Sequence, residues 1–372
     1  GKKYSEHKIF RLGDIVLNNE IKQIFETLEE KGLSVGAIAP MNVENRLKKP
    51  SYFIPDPWTN TNSDNSSFSK RITKMLRQSV NDNGTQKLSL SSIFCIFEII
   101  IRTLDLKRTN FLIQLIISAL IKPWKRSLVL DYLIHMVHIY YLKKNKINFL
   151  SIFFNAGAHI QHHYFFNSKY VENSKKNPSW YIKSNVDPVL DMFIVYDRIL
   201  EDYLKLYKDN NKIFIATGLR QVPYDNTKYY YRLRNHESFL NKIEINYSKL
   251  FTRMTRDFEI QFNSSDEVLN ALDILKNIYV KKDNERLFKE IEVRKKSLFV
   301  TLTYPKEITK DDMIVTKDEN ELFLFNEVIF LAIKNGMHET KGYAFASQNI
   351  KNNFPKKIIS VSELYKFVLN SQ

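Results

Sequence analysis

Three histidines lie within a five-residue stretch near the middle of the chain: His159, His162 and His163. They follow an apolar run at 147–154 and a turn of small residues that begins at Asn155. Neutral imidazole binds divalent metal ions, and it also donates or accepts protons near neutral pH. The apolar run has the length and the β-branched and aromatic residues of a buried strand. Open α/β sheets carry their sites beyond the ends of such strands, so we expect His159 and His162 to face a crevice and His163 to face away.

A second group of candidate residues surrounds the end of the strand predicted at 212–217. Thr217 ends that strand, and Gln221 lies where it could hydrogen-bond a substrate or a water molecule. Since parallel strands end at the same edge of a sheet, Gln221 could face the same crevice as the histidines. Arg232 and Arg234 lie in a segment dense in Tyr, Arg and Asn. That composition suits an anionic sugar or nucleotide, but it also suits a packed surface loop.

His338 is the third candidate, and it lies in a loop between Gly336 and Gly342. Glycine has no side chain, so the backbone on either side of His338 could approach a site closely. His135 and His138 lie one helical turn apart and could form half of a metal site. Nothing near them in the sequence supplies further ligands, and we interpret them as packed helix residues.

The composition is typical of a globular protein with a strong positive charge. Of the 372 residues, 44% are hydrophobic and 26% charged, and the formal net charge is +15. This charge allows an anionic partner, although lysine-rich solvent-exposed faces explain it equally well. The lysines are spread along the chain without a basic–aromatic repeat, so no motif supports nucleic-acid binding. The single cysteine, Cys95, excludes an internal disulfide framework and a cysteine-built zinc site.

The sequence shows no targeting or membrane-spanning signal. The longest apolar run, at 111–121, is far shorter than the ~20 residues that cross a bilayer. The segment at 1–14 has no signal-peptide pattern, which favours a cytoplasmic location. The first residue is not Met, and we expect that upstream sequence is missing. The oligomeric state cannot be assigned.

The elements that must position the candidates follow an alternation of helix, short loop and buried strand. A helix is predicted over 18–31 and a strand over 33–40, and a helix over 187–207 precedes the strand at 212–217. The block at 66–146 lacks a strand signal and predicts four helices, at 67–80, 89–104, 108–121 and 124–144. The segment at 251–308 predicts a small α+β unit with a short helix near 283–291. The alternation favours an α/β fold with a parallel sheet.

Three segments resemble the alkaline phosphatase superfamily, in particular its type I phosphodiesterase/nucleotide pyrophosphatase-like branch. The run Asn155-Ala-Gly-Ala-His159 has the spacing of the metal motif Asp-x-x-Gly-His, and the overlapping run to His162 is similar to an Asn…His-x-Tyr motif. The helix at 187–207 followed by IFIATGL matches the place of a helix and a strand that ends in Asp-His-Gly. The run Gly336-Met-His338-Glu-Thr-Lys-Gly342 looks like the late Gly-x-His-x-x-x-Gly loop of the family.

The resemblance implies a three-layer α/β/α fold with a mostly parallel central sheet, formed by 1–65, 147–250 and 309–372. The segment 66–146 would be a helical insertion, and 251–308 a small α+β insertion or lid. The resemblance also implies a divalent metal such as zinc and an anionic small-molecule or glycan substrate. The implied metal residues are His159, His162, His338 and Asn155. The implied substrate-binding residues are Gln221, Thr217, His163, Arg232 and Arg234.

The chain departs from the family pattern in three places. Asn155 replaces a metal-binding Asp, Thr217-Gly218 replaces an Asp-His pair, and the nucleophile would lie upstream of Gly1. Three hypotheses remain open. The chain is a divergent metal-dependent hydrolase of phosphate or sulfate esters, or an inactive pseudoenzyme that binds a glycan or nucleotide. Alternatively, it is a basic module whose helices at 66–146 bind an acidic partner.

Overall fold

The computed structural model describes residues 22–81, 89–144, 146–172, 175–206, 212–252, 256–355 and 357–371 of the chain. Within these ranges the fold is mixed α/β, as predicted, with most helices in the first half and most strands in the second. The helix predicted over 18–31 is present as α1 (Ile24–Glu30), and residues 18–21 of that prediction lie outside the described ranges.

A three-stranded parallel sheet forms the first part of the fold. Strand β1 (Val35–Ile38) lies between β2 (Tyr52–Ile54) and β3 (Phe149–Ile152), and both pairings are parallel. Every residue of β1 and β2 is buried, as expected for apolar strands covered on both faces. Gly36 is required in β1, because a Cβ atom there would lie 2.4 Å from the Tyr52 ring. The strands predicted at 33–40 and 147–154 are confirmed as β1 and β3, whereas β2 was not predicted.

Four helices separate β2 from β3, and they match the predicted block. They are α2 (Ser67–Asn81), α3 (Leu90–Thr103), α4 (Leu106–Ile121) and α5 (Lys125–Lys144). Local signals set their ends: the Ser89 side chain accepts a hydrogen bond from the backbone of Ser92 at the start of α3. Leu104 adopts a left-handed conformation with φ of 41°, which ends α3. Asp105 then caps α4.

The helices and the parallel sheet share one hydrophobic core. Tyr52 of β2 stacks on Tyr141 of α5 with ring centroids 4.2 Å apart. Helix α6 (Ala156–Tyr164) follows β3 directly, and α7 (Pro188–Leu206) packs against both α5 and α6. The core continues from the sheet through α5 to α7, so it connects the helical block to the histidine-bearing helix. The domain boundaries at 66–146 and 251–308 stay predictions.

The second part of the fold is antiparallel. Its longest feature is a two-stranded ribbon of β5 (Arg220–Leu233) and β14 (Val328–Glu339), in which Gln221 pairs with His338 and Lys228 with Lys334. The remaining strands here are β4 (Phe214–Ala216), β6 (Lys249–Thr252), β7 (Asp257–Gln261), β8 (Tyr279–Val280), β9 (Glu285–Arg286), β10 (Glu290–Arg294), β11 (Ser297–Thr301), β12 (Met313–Val315), β13 (Glu321–Phe323) and β15 (Ala344–Ala346). The helices are α8 (His236–Lys242), α9 (Ser265–Lys276), α10 (Leu324–Glu327) and α11 (Val361–Asn370).

The expectation of a mostly parallel central sheet is not met in the described residues. Only the β2-β1-β3 sheet is parallel there, and the sheets in the second half are antiparallel, in the orders β10-β11-β7-β6 and β13-β12-β8-β9. The strand predicted at 212–217 appears as β4, but it pairs antiparallel with β15 and is mostly exposed. Because its residues are not buried on both faces, β4 lacks the environment of a central parallel strand.

One local prediction in the second half is wrong. The short helix predicted near 283–291 is β9 and the start of β10, because Ile291 and Val293 pair with β11. Long-range pairing decides this case, and a local pattern does not contain that information. In the described part of the chain, no helix is long and apolar enough to cross a membrane.

Candidate functional site

Helix α6, which carries three of the candidate histidines, is anchored at its first turn by a buried carboxylate. Asp131 of α5 accepts hydrogen bonds from the backbone nitrogen atoms of Asn155 at 3.3 Å and Ala156 at 2.9 Å. It also accepts one from the Tyr196 hydroxyl at 2.7 Å, which in turn accepts one from the backbone of Gly157 at 2.8 Å. These bonds satisfy nitrogen atoms that have no partner within the helix. Asp131 and Tyr196 therefore fix the position from which α6 starts.

The centre of the site is a pair of converging imidazoles from two distant segments. His162 of α6 and His338 of β14 place their Nε2 atoms 3.0 Å apart. The Nδ1 atom of His162 lies 3.1 Å from the Gly336 carbonyl oxygen. Because that oxygen can only accept, Nδ1 carries the proton and the Nε2 atom of neutral His162 presents a lone pair. Burial lowers the pKa of His162, the hydrogen bond to the Gly336 carbonyl partly offsets this, and the charges of His338 and Lys334 lower the pKa further.

His159 and His163 occupy the neighbouring side of α6, and their rings contact each other edge to face with centroids 4.8 Å apart. Burial lowers the pKa of His159 to about 4, and the charge of His162 contributes. Burial also lowers the pKa of His163 well below its usual value, with smaller effects from His159 and His162. The Nδ1 atom of His163 is buried without a partner among the described residues. His163 is therefore enclosed, although we expected it to face outward.

Gln221 lies beside the imidazole pair, as the sequence suggested. It pairs with His338 in the ribbon, and its amide nitrogen donates to the Ala158 carbonyl at 3.2 Å. Its oxygen is buried without a partner in the described part of the protein. A Cβ atom at Gly336 would lie 2.6 Å from that oxygen and 2.7 Å from the Gln161 carbonyl oxygen. Only glycine at 336 allows β14 to approach α6 this closely, as proposed for the loop that contains His338.

Two predicted residues have structural contacts instead. Asn155 occupies the position before α6, where its backbone binds Asp131, and no hydrogen bond joins its side chain to an imidazole in the described residues. Thr217 exchanges hydrogen bonds with Tyr343 across the β4–β15 pair, at 2.8 Å through its backbone nitrogen and at 2.9 Å through its hydroxyl. A Cβ atom at Gly342 would lie 2.2 Å from the Thr217 carbonyl oxygen. Thr217 and Gly342 thus hold two chain segments together.

A cluster of cations and tyrosines, which we call the cationic face, lies near the imidazole pair. Arg256, which precedes β7, joins five residues of the ribbon there: Tyr224, Lys228, Tyr230, Arg232 and Lys334. Lys228 and Lys334 lie directly opposite each other, and both ammonium groups contact the Tyr224 ring, with Lys334 at 3.8 Å. Like charges in such a cross-strand pair are destabilising. Burial lowers the pKa of Lys334, and the charges of Lys228 and Arg256 lower it further.

Arg232 of β5 and Arg234, which follows the last residue of that strand, differ in their surroundings. Arg232 is half-buried and forms no hydrogen bond or ion pair with any described residue, and burial lowers its pKa. Arg256 lies 4.4 Å above the Tyr230 ring. Arg234 instead donates to the carbonyl oxygens of Asn326 and Val328, so it holds the end of the ribbon. Of the two predicted substrate arginines, only Arg232 is available to a ligand.

An open cavity of about 3190 Å³ is lined by both the imidazole pair and residues of the cationic face. Its lining includes His162 and His338, and also Arg232 and Arg256 of the cationic face. Three carboxylates, Asp131, Asp257 and Glu290, also line it.

His135 and His138 pack inside the protein, as we expected. The Nε2 atom of His135 lies 3.0 Å from Asp202, which also accepts a 2.7 Å hydrogen bond from Arg108. The Nδ1 atom of His138 lies 2.7 Å from the Tyr203 hydroxyl. Both histidines are buried rather than partly exposed. They stabilise the packing of α5 against α7.

The donor set of the imidazole pair fits a cation only in part. Two imidazole nitrogen atoms that each lie about 2.1 Å from one tetrahedral zinc ion are ~3.4 Å apart, so the 3.0 Å separation of the two Nε2 atoms, which is a hydrogen-bond distance, would have to widen around a cation. Ligating histidines commonly donate their other N–H group to a carbonyl, as His162 does to Gly336. However, the described residues contain no group of three or more His, Cys, Asp and Glu side chains that could hold a metal ion. Water or substrate would have to complete the coordination.

Sequence reasoning missed Asp131 and the lysines of the cationic face. Asp131 is the only carboxylate in the apolar segment 128–142, and a lone charge in such a helix is a signal for a buried cap or site. The lysines gave no comparable signal, because their proximity depends on the register of the ribbon.

The comparisons with known proteins add no relative. No family model, no curated protein and no solved structure matches the chain significantly.

Proposed function

We propose that the chain is a divergent metal-dependent hydrolase of phosphate or sulfate esters, related to the type I phosphodiesterase-like branch of the alkaline phosphatase superfamily. The observation that carries the proposal is the convergence of the His162 and His338 Nε2 atoms, 3.0 Å apart, from two segments that each resemble a family metal motif. In the family's three-layer arrangement, the parallel β2-β1-β3 sheet would be the part of the core that leads into α6.

His162 and His338 are the residues that would hold the cation. A divalent cation at such a site polarises the ester oxygen and stabilises the charge that develops there. Gly336 fixes the tautomer of His162 through its carbonyl oxygen, so the lone pair of Nε2 is presented toward His338. Asp131 and Tyr196 hold the first turn of α6, and with it the position of His162.

The substrate would bind through its negative charge. Arg232 lines the same cavity as the imidazoles and has no competing partner in the described residues. A guanidinium group forms two parallel hydrogen bonds with a phosphate or sulfate group, and these bonds are stronger in a partly buried site than in water. Gln221, whose buried oxygen is unpaired among the described residues, would orient a hydroxyl group or a water molecule next to His338.

The test is hydrolysis of aryl phosphates, aryl phosphodiesters and aryl sulfates by protein expressed with all the upstream sequence that its gene encodes. Activity should depend on added divalent metal and should be lost in the His338→Ala and His162→Ala variants. Arg232→Met should raise KM at least about tenfold for a charged substrate, because one charge-assisted hydrogen-bonding partner is removed. Arg234→Met is the matched control, since Arg234 binds only backbone carbonyls. Activity that does not respond to metal or to either histidine would contradict the proposal.

A second candidate is a pseudoenzyme that binds an anionic glycan or nucleotide without turnover. It is favoured by the absence, among the described residues, of any metal-binding group with three or more ligands. Thr217, which stands where the family has a metal-binding Asp, also forms hydrogen bonds within the β4–β15 pair. This candidate predicts Arg232-dependent binding of anionic ligands with no hydrolysis at any metal concentration.

A further inference from the structure

Helix α3 presents a continuous apolar stripe to solvent. The exposed residues recur at alternating spacings of four and three, so they lie along one side of the helix. Their exposed fractions lie between 57% and 84%. They are Leu90, Phe94, Phe97, Ile101 and Leu104. The opposite side of α3 is the one that enters the core, through Cys95 and Ile99.

Helix α4, which packs against the same helix α5 as α3 does, carries a second set of exposed apolar residues. Its outward residues have exposed fractions between 44% and 82%, and they are Leu106, Ile113, Ile117, Leu120 and Ile121. The inward residues Leu112, Leu115 and Ala119 are buried, so α4 is packed normally on its other side. We call the ten outward residues of the two helices the α3–α4 surface.

The size of the α3–α4 surface sets it apart from ordinary exposed apolar residues. Ten large side chains with exposed fractions of 44% or more present on the order of 1000 Å² of apolar area, whereas the largest patch on a typical monomer covers ~300–600 Å². Patches above that range mark sites that are covered by a protein or a membrane. The apolar area alone does not choose between these two occupants.

The charges around the α3–α4 surface indicate which of these two occupants fits. The segment 89–126 contains six Lys and Arg residues and only two carboxylates, Glu98 and Asp105. Both carboxylates are already paired, Glu98 with Arg71 and Arg102, and Asp105 with Arg108. At the two ends of α4, Lys107 and Lys122 form no ion pair with any residue that the structure describes.

A second copy of this chain would bring the same positive charge to the interface. With a net charge of +15 on each copy and no free carboxylates beside the patch, self-association is opposed by like-charge repulsion. An anionic lipid surface has the opposite charge and an apolar interior. Helices whose apolar faces enter the boundary between headgroups and acyl chains, with basic residues at the headgroups, bind such surfaces without spanning them.

We propose that the α3–α4 surface docks on an anionic lipid membrane. The apolar stripe enters the acyl-chain boundary, and Lys107 and Lys122 contact the phosphate groups of the lipids. The proposal differs from the hypothesis that the helices at 66–146 bind an acidic partner through a basic face, because the exposed residues of α3 and α4 are mainly apolar. The proposal does not depend on the hydrolase activity, since none of the ten residues contacts the imidazole pair or Arg232.

The test is co-sedimentation of the full chain with vesicles of phosphatidylcholine alone and of phosphatidylcholine mixed with phosphatidylglycerol. We expect binding to the mixed vesicles that weakens as salt is added. The Phe94→Ser/Phe97→Ser variant should reduce this binding at least tenfold, and so should Lys107→Glu/Lys122→Glu. Leu269→Ser is the matched control, because Leu269 is a 61% exposed leucine on α9, away from the surface.

All of the substituted side chains are exposed or lie at a helix end, so the variants should keep the urea midpoint of the native chain. If the Phe variant unfolds, the Lys variant still decides the question, since it removes no buried contact. Three results would overturn the proposal. They are no binding to the mixed vesicles, equal binding by native chain and variants, and a dimer of the native chain in solution that the Phe variant converts to a monomer.

Discussion

Replacement of Asp202 should be the most damaging single charge substitution in the helical core. Asp202 of α7 accepts hydrogen bonds from Arg108 of α4 at 2.7 Å and from His135 of α5 at 3.0 Å, so it joins three helices. Arg108 is 8% exposed and Asp202 is 4% exposed. Removing one partner of a buried pair costs ~3–5 kcal/mol, because the other charge stays buried. Arg108 keeps Asp105 as a second partner, so we expect Asp202→Asn to lower the free energy of unfolding by about 3 kcal/mol.

Asp105→Asn is the matched control. It also removes a carboxylate from Arg108, but the Asp105 side chain is 24% exposed and its amide replacement keeps an oxygen that can cap α4. We expect a loss of about 1 kcal/mol or less, as for a partly exposed pair. The double variant Asp202→Asn/Arg108→Met should recover part of the loss, since it removes the unpaired buried charge as well.

The Asp202 carboxylate also determines how the free energy of unfolding should change with pH. Burial by itself raises the pKa of Asp202, but the hydrogen bonds from His135 and Arg108 outweigh it and lower the pKa to about 2. A pKa that is lower in the folded state stabilises the protein above the unfolded-state value near 3.9, and this stabilisation is lost as the pH falls from ~4 to ~2. The shift corresponds to about 2 kcal/mol. The difference in unfolding free energy between the native chain and Asp202→Asn should therefore shrink by that amount over this range.

Urea unfolding followed by circular dichroism at ~pH 7, ~pH 4.5 and ~pH 2.5 measures both effects. Equal losses in Asp202→Asn and Asp105→Asn would show that the buried pair has no special role. A gap between native chain and Asp202→Asn that is independent of pH, or that widens in acid, would refute the assignment of the lowered pKa.

Three further predictions concern the neighbourhood of the histidines. Tyr196→Phe removes a hydrogen bond to Asp131 and leaves a buried backbone nitrogen unpaired, so urea unfolding should show a loss of ~1–3 kcal/mol. Gly336→Ala inserts a methyl group into contacts of 2.6 Å and should cost at least ~1–3 kcal/mol, whereas Gly218→Ala, with 3.9 Å to its nearest atom, should be nearly neutral. Burial lowers the pKa of His159 to about 4, so its ring NMR signals should not shift between ~pH 5.5 and ~pH 8, and a midpoint near ~6.5 would contradict the burial.

The helical half of the fold could be predicted from the sequence because its information is local. The apolar runs, the caps at Ser89 and Asp105, and Pro123 between two helices mark α3, α4 and α5 within a few residues of their observed bounds. The buried strand β1 and the partly buried strand β3 also follow from short apolar runs between turn signals.

The antiparallel half could not be predicted in the same way. The segment at 220–233 is polar and rich in tyrosine, and it forms a strand because β14 pairs with it at 220–223 and again at 228–233. The same pairing creates the cationic face, since Lys228 and Lys334 are more than a hundred residues apart in the chain. No local pattern specifies such a register.

The candidate site was predictable in its residues but not in its geometry. His162 and His338 were singled out by their motifs, and the structure brings them together. Asn155 and Thr217 were singled out by the same resemblance, but they bind backbone groups of neighbouring segments. A motif identifies a residue type at a position in the chain, whereas the direction of its side chain depends on packing that the motif does not describe.

The most direct test of the central claim is zinc binding by the full chain, measured by calorimetric titration and by elemental analysis after gel filtration. If His162 and His338 form the metal site, the native chain should bind zinc stoichiometrically, and both His162→Ala and His338→Ala should lose that binding. Binding should be retained in His159→Ala, because that ring packs against His163 and not against the pair. Absence of binding by the native chain, or binding that survives the loss of both His162 and His338, would contradict the claim that these two imidazoles form the metal site.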